Sequence, residues 1–392
     1  MVFNLKLINP FILISVLLAV PNARASFQPL LGTELNNKSL YASGYITMGA
    51  GSSIGGNVQS AAAVVLGADA TVQGNVEAGT AATLGANAGV DGYIRGTKTV
   101  TLGASANVDG SIEAGTTATV GANAKVNGDV SAGTTATMGA AVEVKGDVLS
   151  GTTVTVGAGS ILDGNVDAGS TTTIGAGAKI DGLINAGSLK IASAVPEIAN
   201  QEELVTSVQA TLKDLGTGTE LISDTFGTDD EILEAGIYST INYLSIAINK
   251  TITLDGKGVD GSWVFNIPNY LMFAAGAKVI LKDVTDNSSI IWNVLGDKLG
   301  SAGFTQLGVG AEVRGHIFSK GFVQTGANAL IAGIGDDCGG AFSATNFIEF
   351  GADSILGTEG CTNGIVVSVA DPTSIWLMGF GLFGLVVISR RK

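Results

Sequence analysis

Residues 102–119 read LGASAN-VDGSIE-AGTTAT, and this 18-residue unit recurs without a gap from Met48 to about Ile191. An apolar residue followed by glycine sets the register, at Met48, Leu66, Leu84, Leu102, Val120, Met138, Val156 and Ile174. A period this strict means one structural coil per copy, stacked on the next. The first and fifth positions of each hexad are apolar or small: Leu102, Ala106, Val108, Ile112, Ala114 and Ala118. Fifth and first positions of successive hexads lie two residues apart, so they share one face of a short strand and their neighbours point outward. Glycine at the second or third hexad position suits the bends between strands. Three short strands per coil predict a triangular parallel β-solenoid of eight coils over residues 48–194.

The outward positions form rows. On the first strand of each coil they vary: Asn87/Gly89, Ser105/Asn107, Asn123/Lys125, Ala141/Glu143, Gly177/Lys179. On the second they vary and carry charge: Asn75/Glu77, Tyr93/Arg95, Ser111/Glu113, Asp129/Ser131, Asn165/Asp167. On the third they are Thr99/Thr101, Thr117/Thr119, Thr135/Thr137, Thr153/Thr155 and Thr171/Thr173, preceded by Ala81/Thr83. Coils stack at roughly 4.8 Å and alternate strand residues lie roughly 6.7 Å apart, so the third row predicts a flat, uncharged, two-column array. Threonine is stiff at χ1, which preorders the array.

The composition narrows the function classes. The chain has 392 residues, a formal net charge of −14, 57 glycines and only 14% charged residues. The negative balance argues against nucleic acid or an anionic membrane as partner. With His316 as the one histidine, a histidine-based metal site or triad has almost nothing to build on. Residues 1–25 read as a signal peptide: Lys6, the apolar run from Phe11 to Val20, then Ala23-Arg24-Ala25. Export to an oxidising compartment favours pairing of Cys338 with Cys361; two free buried thiols are the alternative. Residues 367–392 hold Ala370-Asp371-Pro372, an apolar run from Ile375 to Ile388, and Arg390-Arg391-Lys392. This tail resembles a PEP-CTERM sorting segment of Gram-negative bacteria, with Ala-Asp-Pro where that family has Pro-Glu-Pro; a plain tail anchor is the alternative.

A second module follows. Residues 195–218 place Ile198, Val205, Val208, Leu212 and Leu215 at helical spacing before Gly216, which predicts one amphipathic helix laid along a solenoid wall. From 219 to 366 strands return without a strict period. Glu234-Ala235-Gly236-Ile237-Tyr238, Thr253-Leu254-Asp255-Gly256-Lys257-Gly258, Trp263-Val264-Phe265-Asn266-Ile267, Ala275-Gly276-Ala277-Lys278-Val279-Ile280-Leu281 and Ile290-Ile291-Trp292-Asn293-Val294 follow in order. Gly310-Ala311-Glu312-Val313-Arg314-Gly315-His316-Ile317 and Thr325-Gly326-Ala327-Asn328-Ala329 close the series. Over about residues 195–360 this order resembles the microbial ice-binding protein domain. The resemblance implies an irregular β-solenoid flanked by one long helix, with ice as partner and no cofactor. Residues 26–47 form an N-terminal cap segment; the stretch from Leu31-Gly32-Thr33 to Gly49 would be the family's opening segment, and the regular repeats an insertion or replacement of its variable first coils. Ile331-Ala332-Gly333 stands where the family has Asn-Gly-Arg, and the insert from Asp336 to Cys361, with both cysteines, is a further departure from the family's pattern. Members also serve as surface adhesins.

The threonine array, in turn, resembles the Thr-x-Thr faces of insect β-solenoid antifreeze proteins. Its spacing approximates that of water on a prism face of ice. Candidate ice-contacting residues are Thr83, Thr99, Thr101, Thr117, Thr119, Thr135, Thr137, Thr153, Thr155, Thr171 and Thr173. Packing against another surface and simple strand propensity are the other readings of the ladder, since Thr–Thr pairs stabilise stacked strands by about 0.2–1 kcal/mol each. Two function classes follow. One is an exported ice-binding protein acting by adsorption through ordered water. The other is a non-enzymatic adhesin or extracellular-matrix structural protein whose partner is a surface polysaccharide or matrix. Either would sit at the outer surface of a Gram-negative bacterium and touch membrane only through its tail. The acid pairs Asp229-Asp230 and Asp336-Asp337 lie in turns where Asp is expected, and Asp255 to Gly261 reads as a hairpin turn. No catalytic, cofactor-binding or metal-binding residue is assigned.

Overall fold

The computed structural model describes residues 28–29, 37–187, 195–221, 223–226, 231–298, 302–357, 361 and 366–367. The signal-peptide reading, the sorting-tail motif and Asp229-Asp230 lie outside the described residues. Apart from one short antiparallel pair, Gln28–Pro29 with Val366–Val367, the described strands form three parallel sheets of 14, 15 and 14 strands. The fold is all-β, a triangular parallel solenoid with one helix among the described residues.

A repeat coil has three unequal sides. In residues 99–114 the strands are Thr99–Leu102, Asn107–Val108 and Ile112–Ala114, one for each sheet. Alternation places Val100, Leu102, Val108, Ile112 and Ala114 in a core closed to solvent. Backbone bonds from each coil to the next fix the stack, as in Gly103 N–H to the Leu84 carbonyl at 2.8 Å. At that corner successive backbones come so close that a Cβ on Gly103 would lie 2.6 Å from the Gly85 carbonyl carbon, which only glycine tolerates.

The first-strand pairs predicted from the sequence are divided by the structure. Asn87, Ser105, Asn123 and Ala141 sit outside the strand at positive φ, 56–59°, in the turn that precedes it. The second-strand pairs are divided too. Asn57, Asn75, Asp129, Asp147 and Asn165 occupy a corner, where each side chain accepts the backbone N–H eighteen residues ahead. Ser111 does the same for Asp129. Short polar side chains cap backbone in this way at turns, so these positions hold Asn, Asp and Ser for a local reason.

The second module is not appended after the repeats. Its strands enter the same three sheets, and they join at the first repeat coil. Leu40 pairs with Ala341, Ile46 with Ile348, and Ser53 with Ile355. From residue 38 on, the chain therefore enters in the middle of one continuous stack. It builds outward through the repeats to Ile184–Ala186, and resumes at the opposite end with Thr219–Glu220. From there it stacks back to Ile355–Leu356. The core widens along this path. Ala and Val dominate under the repeats, whereas Trp263, Phe265, Phe273 and Trp292 fill the second module.

The helix, Glu202–Asp214, lies on the 15-stranded sheet over Ser262–Ile267, Ser289–Val294 and Gly340–Ser343. Val205, Val208 and Leu212 are buried as their spacing predicts, and so is Gln209. Gln209 Nε2 donates to the Val294 and Phe318 carbonyls at 2.9 and 3.2 Å. Asn266 and Asn293 return the contact by donating to the Leu212 and Gln209 carbonyls. Just ahead of the helix, Tyr41 Oη donates to Asn200 Oδ1 and accepts from the Gln201 N–H, both at 2.7 Å. Burial pushes the Tyr41 phenol up to about 12.

Candidate functional site

The threonines selected from the sequence fall on one sheet and in register. Thr99, Thr117, Thr135, Thr153 and Thr171 form one column, and Thr101, Thr119, Thr137, Thr155 and Thr173 the other. Thr83 extends the second column by one rung, beside Ala81. The residues between them, Ala82, Val100, Ala118, Ala136 and Val154, are wholly buried, which forces the threonines outward. The threonines of the two columns from Thr83 to Thr155 are half-buried by their neighbours, and Thr171 and Thr173 are exposed on the end coil. The array is thus a surface of hydroxyls and methyls with no ionisable group in either column.

The other two faces differ chemically. On the 15-stranded sheet, Lys38, Glu77, Arg95 and Glu113 form a chain of ion pairs, with Arg95 Nε 2.8 Å from Glu113 and Lys38 bonded to Glu77. Burial alone would raise the Glu77 carboxyl, but Lys38, Tyr93 and Arg95 together hold it below its usual value. Burial and the Glu77 carboxylate push the Tyr93 phenol up to about 12. The second-module part of this sheet is covered by the helix. The third sheet carries the Lys125–Glu143 and Lys278–Glu312 ion pairs at 3.1 and 2.5 Å. Of the three repeat faces, the threonine face is thus the one whose two columns carry no charge.

The remaining sequence candidates play structural parts. Cys338 and Cys361 are joined in a disulfide that closes the two ends of the 336–361 stretch. That stretch is no insert in the fold: its strands Gly340–Ser343, Ile348–Phe350 and Ile355–Leu356 form the last coil of the second module. His316 is buried, with Nε2 3.5 Å from Asp337 Oδ2. Asp255, in the Leu-Asp-Gly turn, accepts from Lys282 and Lys257 at 2.9 and 3.0 Å, and these two lysines hold its carboxyl well below the usual range. Among the described residues no three His, Cys, Asp or Glu side chains gather in a metal-binding group.

The fold defines a class: a parallel β-solenoid carrying one flanking helix. A family model described as Ice-binding-like matches residues 190–355, which spans the helix and most of the second module. Several solved structures are similar. An ice-binding protein from the Antarctic ascomycete Antarctomyces psychrotrophicus is 16% identical, over 55% of this chain and 91% of that one, with a TM-score of 0.31. A glycosylated ice-binding protein from an Arctic yeast is 18% identical, over 58% and 94%, with a TM-score of 0.35. An ice-binding protein from an Antarctic biological consortium is 11% identical, over 84% and 91%, with a TM-score of 0.38. The comparison with curated proteins gives no match.

Proposed function

We propose that this protein binds ice, and that the threonine face is the contact surface. The observation that carries the reading is the run of five successive, in-register Thr-x-Thr rungs on a flat sheet with no charge in either column. The match of residues 190–355 to the ice-binding-like model supports it from an independent part of the chain. Adsorption needs no cofactor. Water ordered between the threonine methyls meets the crystal lattice, the protein stays pinned, and the ice front between pinned molecules curves and slows. A rigid face is required, and stacked backbone ladders supply it. The proposal includes export and display at the cell surface, which the signal-peptide and tail readings motivate and the Cys338–Cys361 disulfide favours.

Thermal hysteresis and ice recrystallisation inhibition on the purified chain test this. The variant Thr117→Lys, Thr135→Lys, Thr153→Lys is expected to lose most of both activities while its circular dichroism stays unchanged. Asn107→Lys, on the third sheet, is expected to keep them. Equal activity in the triple variant and the parent would move the contact to the second module. Inactivity of the parent would favour the adhesive or matrix role.

A further inference from the structure

The threonine sheet continues past the repeats, and its two columns change character there. Strand register carries the Thr99 column through Ala81 and Ala63 to Tyr45, then to Phe347, Phe322, Phe304, Tyr270 and Tyr243. These six rings stack in one row, with successive centroids 5.0, 5.2, 5.0, 5.1 and 4.6 Å apart and interplanar angles of 5–10°. The row is roughly 25 Å long at about 5 Å per rung. Its rings are half-buried, and Tyr45 is 39% exposed. The second column beside it runs Met272, Gln306, Gln324, Glu349. Glu349 accepts from Tyr45 Oη and Gln324 Nε2, both at 2.9 Å, and among the described residues no lysine or arginine pairs with it.

We propose that this aromatic half of the face is a binding site for an elongated, planar aromatic cation. It would lie along the solenoid axis, with its π face on the row of ring edges and its charge beside Glu349. The stacked rings use their faces on one another, so they present edges outward. Ring edges are the positive part of the aromatic quadrupole, and they attract the negative face of another π system. Repetition at every rung suits a long flat molecule better than a compact one. A sugar ring would need an exposed aromatic face, and inside the stack each ring face is covered by the next ring, so that among the described residues only the outer faces of Tyr45 and Tyr243 lack a ring partner. Glu349 and the net charge of −14 select a cation. The threonine half offers no rings, so the two halves of one face take different ligands.

Thioflavin T, a flat cationic dye, is the probe, read by fluorescence titration of the full chain. Saturable binding is expected. Phe304→Thr, Phe322→Thr, Phe347→Thr places in this column the residue its repeat rungs already hold, and should weaken binding at least tenfold. Glu349→Gln should weaken it several-fold. The triple lysine variant of the threonine half should bind as the parent does, which separates this site from the ice reading. If the triple threonine variant fails to fold by circular dichroism, Tyr45→Thr and Glu349→Gln carry the test. The proposal is overturned by absence of saturable binding to the parent, or by undiminished binding to a folded triple threonine variant. Undiminished binding to both single variants, or displacement of the dye by cellohexaose, would overturn it as well.

Discussion

Single residues carry the periodicity in ways their type alone does not announce. Ala141 occupies the left-handed turn position that Asn, Ser, Asp or Gly fills in other coils, at φ 56°. An alanine there is strained, and glycine is not. Ala141→Gly should therefore stabilise the chain by about 1 kcal/mol in denaturant unfolding. The corner ladder predicts the opposite sign. Asp147→Ala leaves the Asn165 N–H without its side-chain acceptor, now at 2.7 Å, and should cost about 1 kcal/mol. Acid acts through Glu77 and Asp255, whose carboxyls both lie below their usual values in the fold. Groups depressed on folding stabilise above the unfolded-state pKa and lose that contribution as pH falls through the folded one. The melting temperature should thus be lower at pH 3 than at pH 7, and Glu77→Gln should narrow the difference. Of this residue-level detail, the threonines and the inward apolar positions are readable from spacing. The corner and turn positions look like ordinary outward residues in a period count. Only the recurrence of Asn, Asp or Ser at a fixed step marks them.

At the scale of the coil, each repeat touches only its neighbours, and every sheet advances by one strand per 18 residues. Removal of one whole coil, residues 117–134, should leave a folded, slightly shorter solenoid with one threonine rung fewer and reduced thermal hysteresis. Removal of nine residues, 117–125, would put one sheet's strand against another's and destroy inward–outward alternation. Circular dichroism and solubility distinguish the two; unfolding of the whole-coil deletion would contradict the modular reading. The helix was legible as a stripe of Val205, Val208 and Leu212. Gln209 was not, because its burial depends on the open carbonyls of Val294 and Phe318, more than eighty residues away.

At the scale of the molecule, the order of the chain and the order of the stack differ. Repeats and irregular coils are legible as separate stretches, and the resemblance implies that the repeats interrupt the second module, but the strand pairings that join the two through residues 38–54 are not legible. The pairing of Ile46 with Ile348 is set by which strand edges remain open, and local pattern does not encode that. The joint has no free edge, whereas the last repeat coil leaves Leu183 and Ile184 70% and 50% exposed. Joining the modules also makes one face of two chemistries: threonine rungs above, a stacked aromatic row below. The claim that the threonine rungs meet ice is tested most directly by growing a single ice crystal from a dilute solution of the fluorescently labelled chain. The account predicts incorporation of the chain on defined crystal planes, and exclusion of the Thr117→Lys, Thr135→Lys, Thr153→Lys variant. Equal incorporation of that variant, or exclusion of the parent chain, would contradict it.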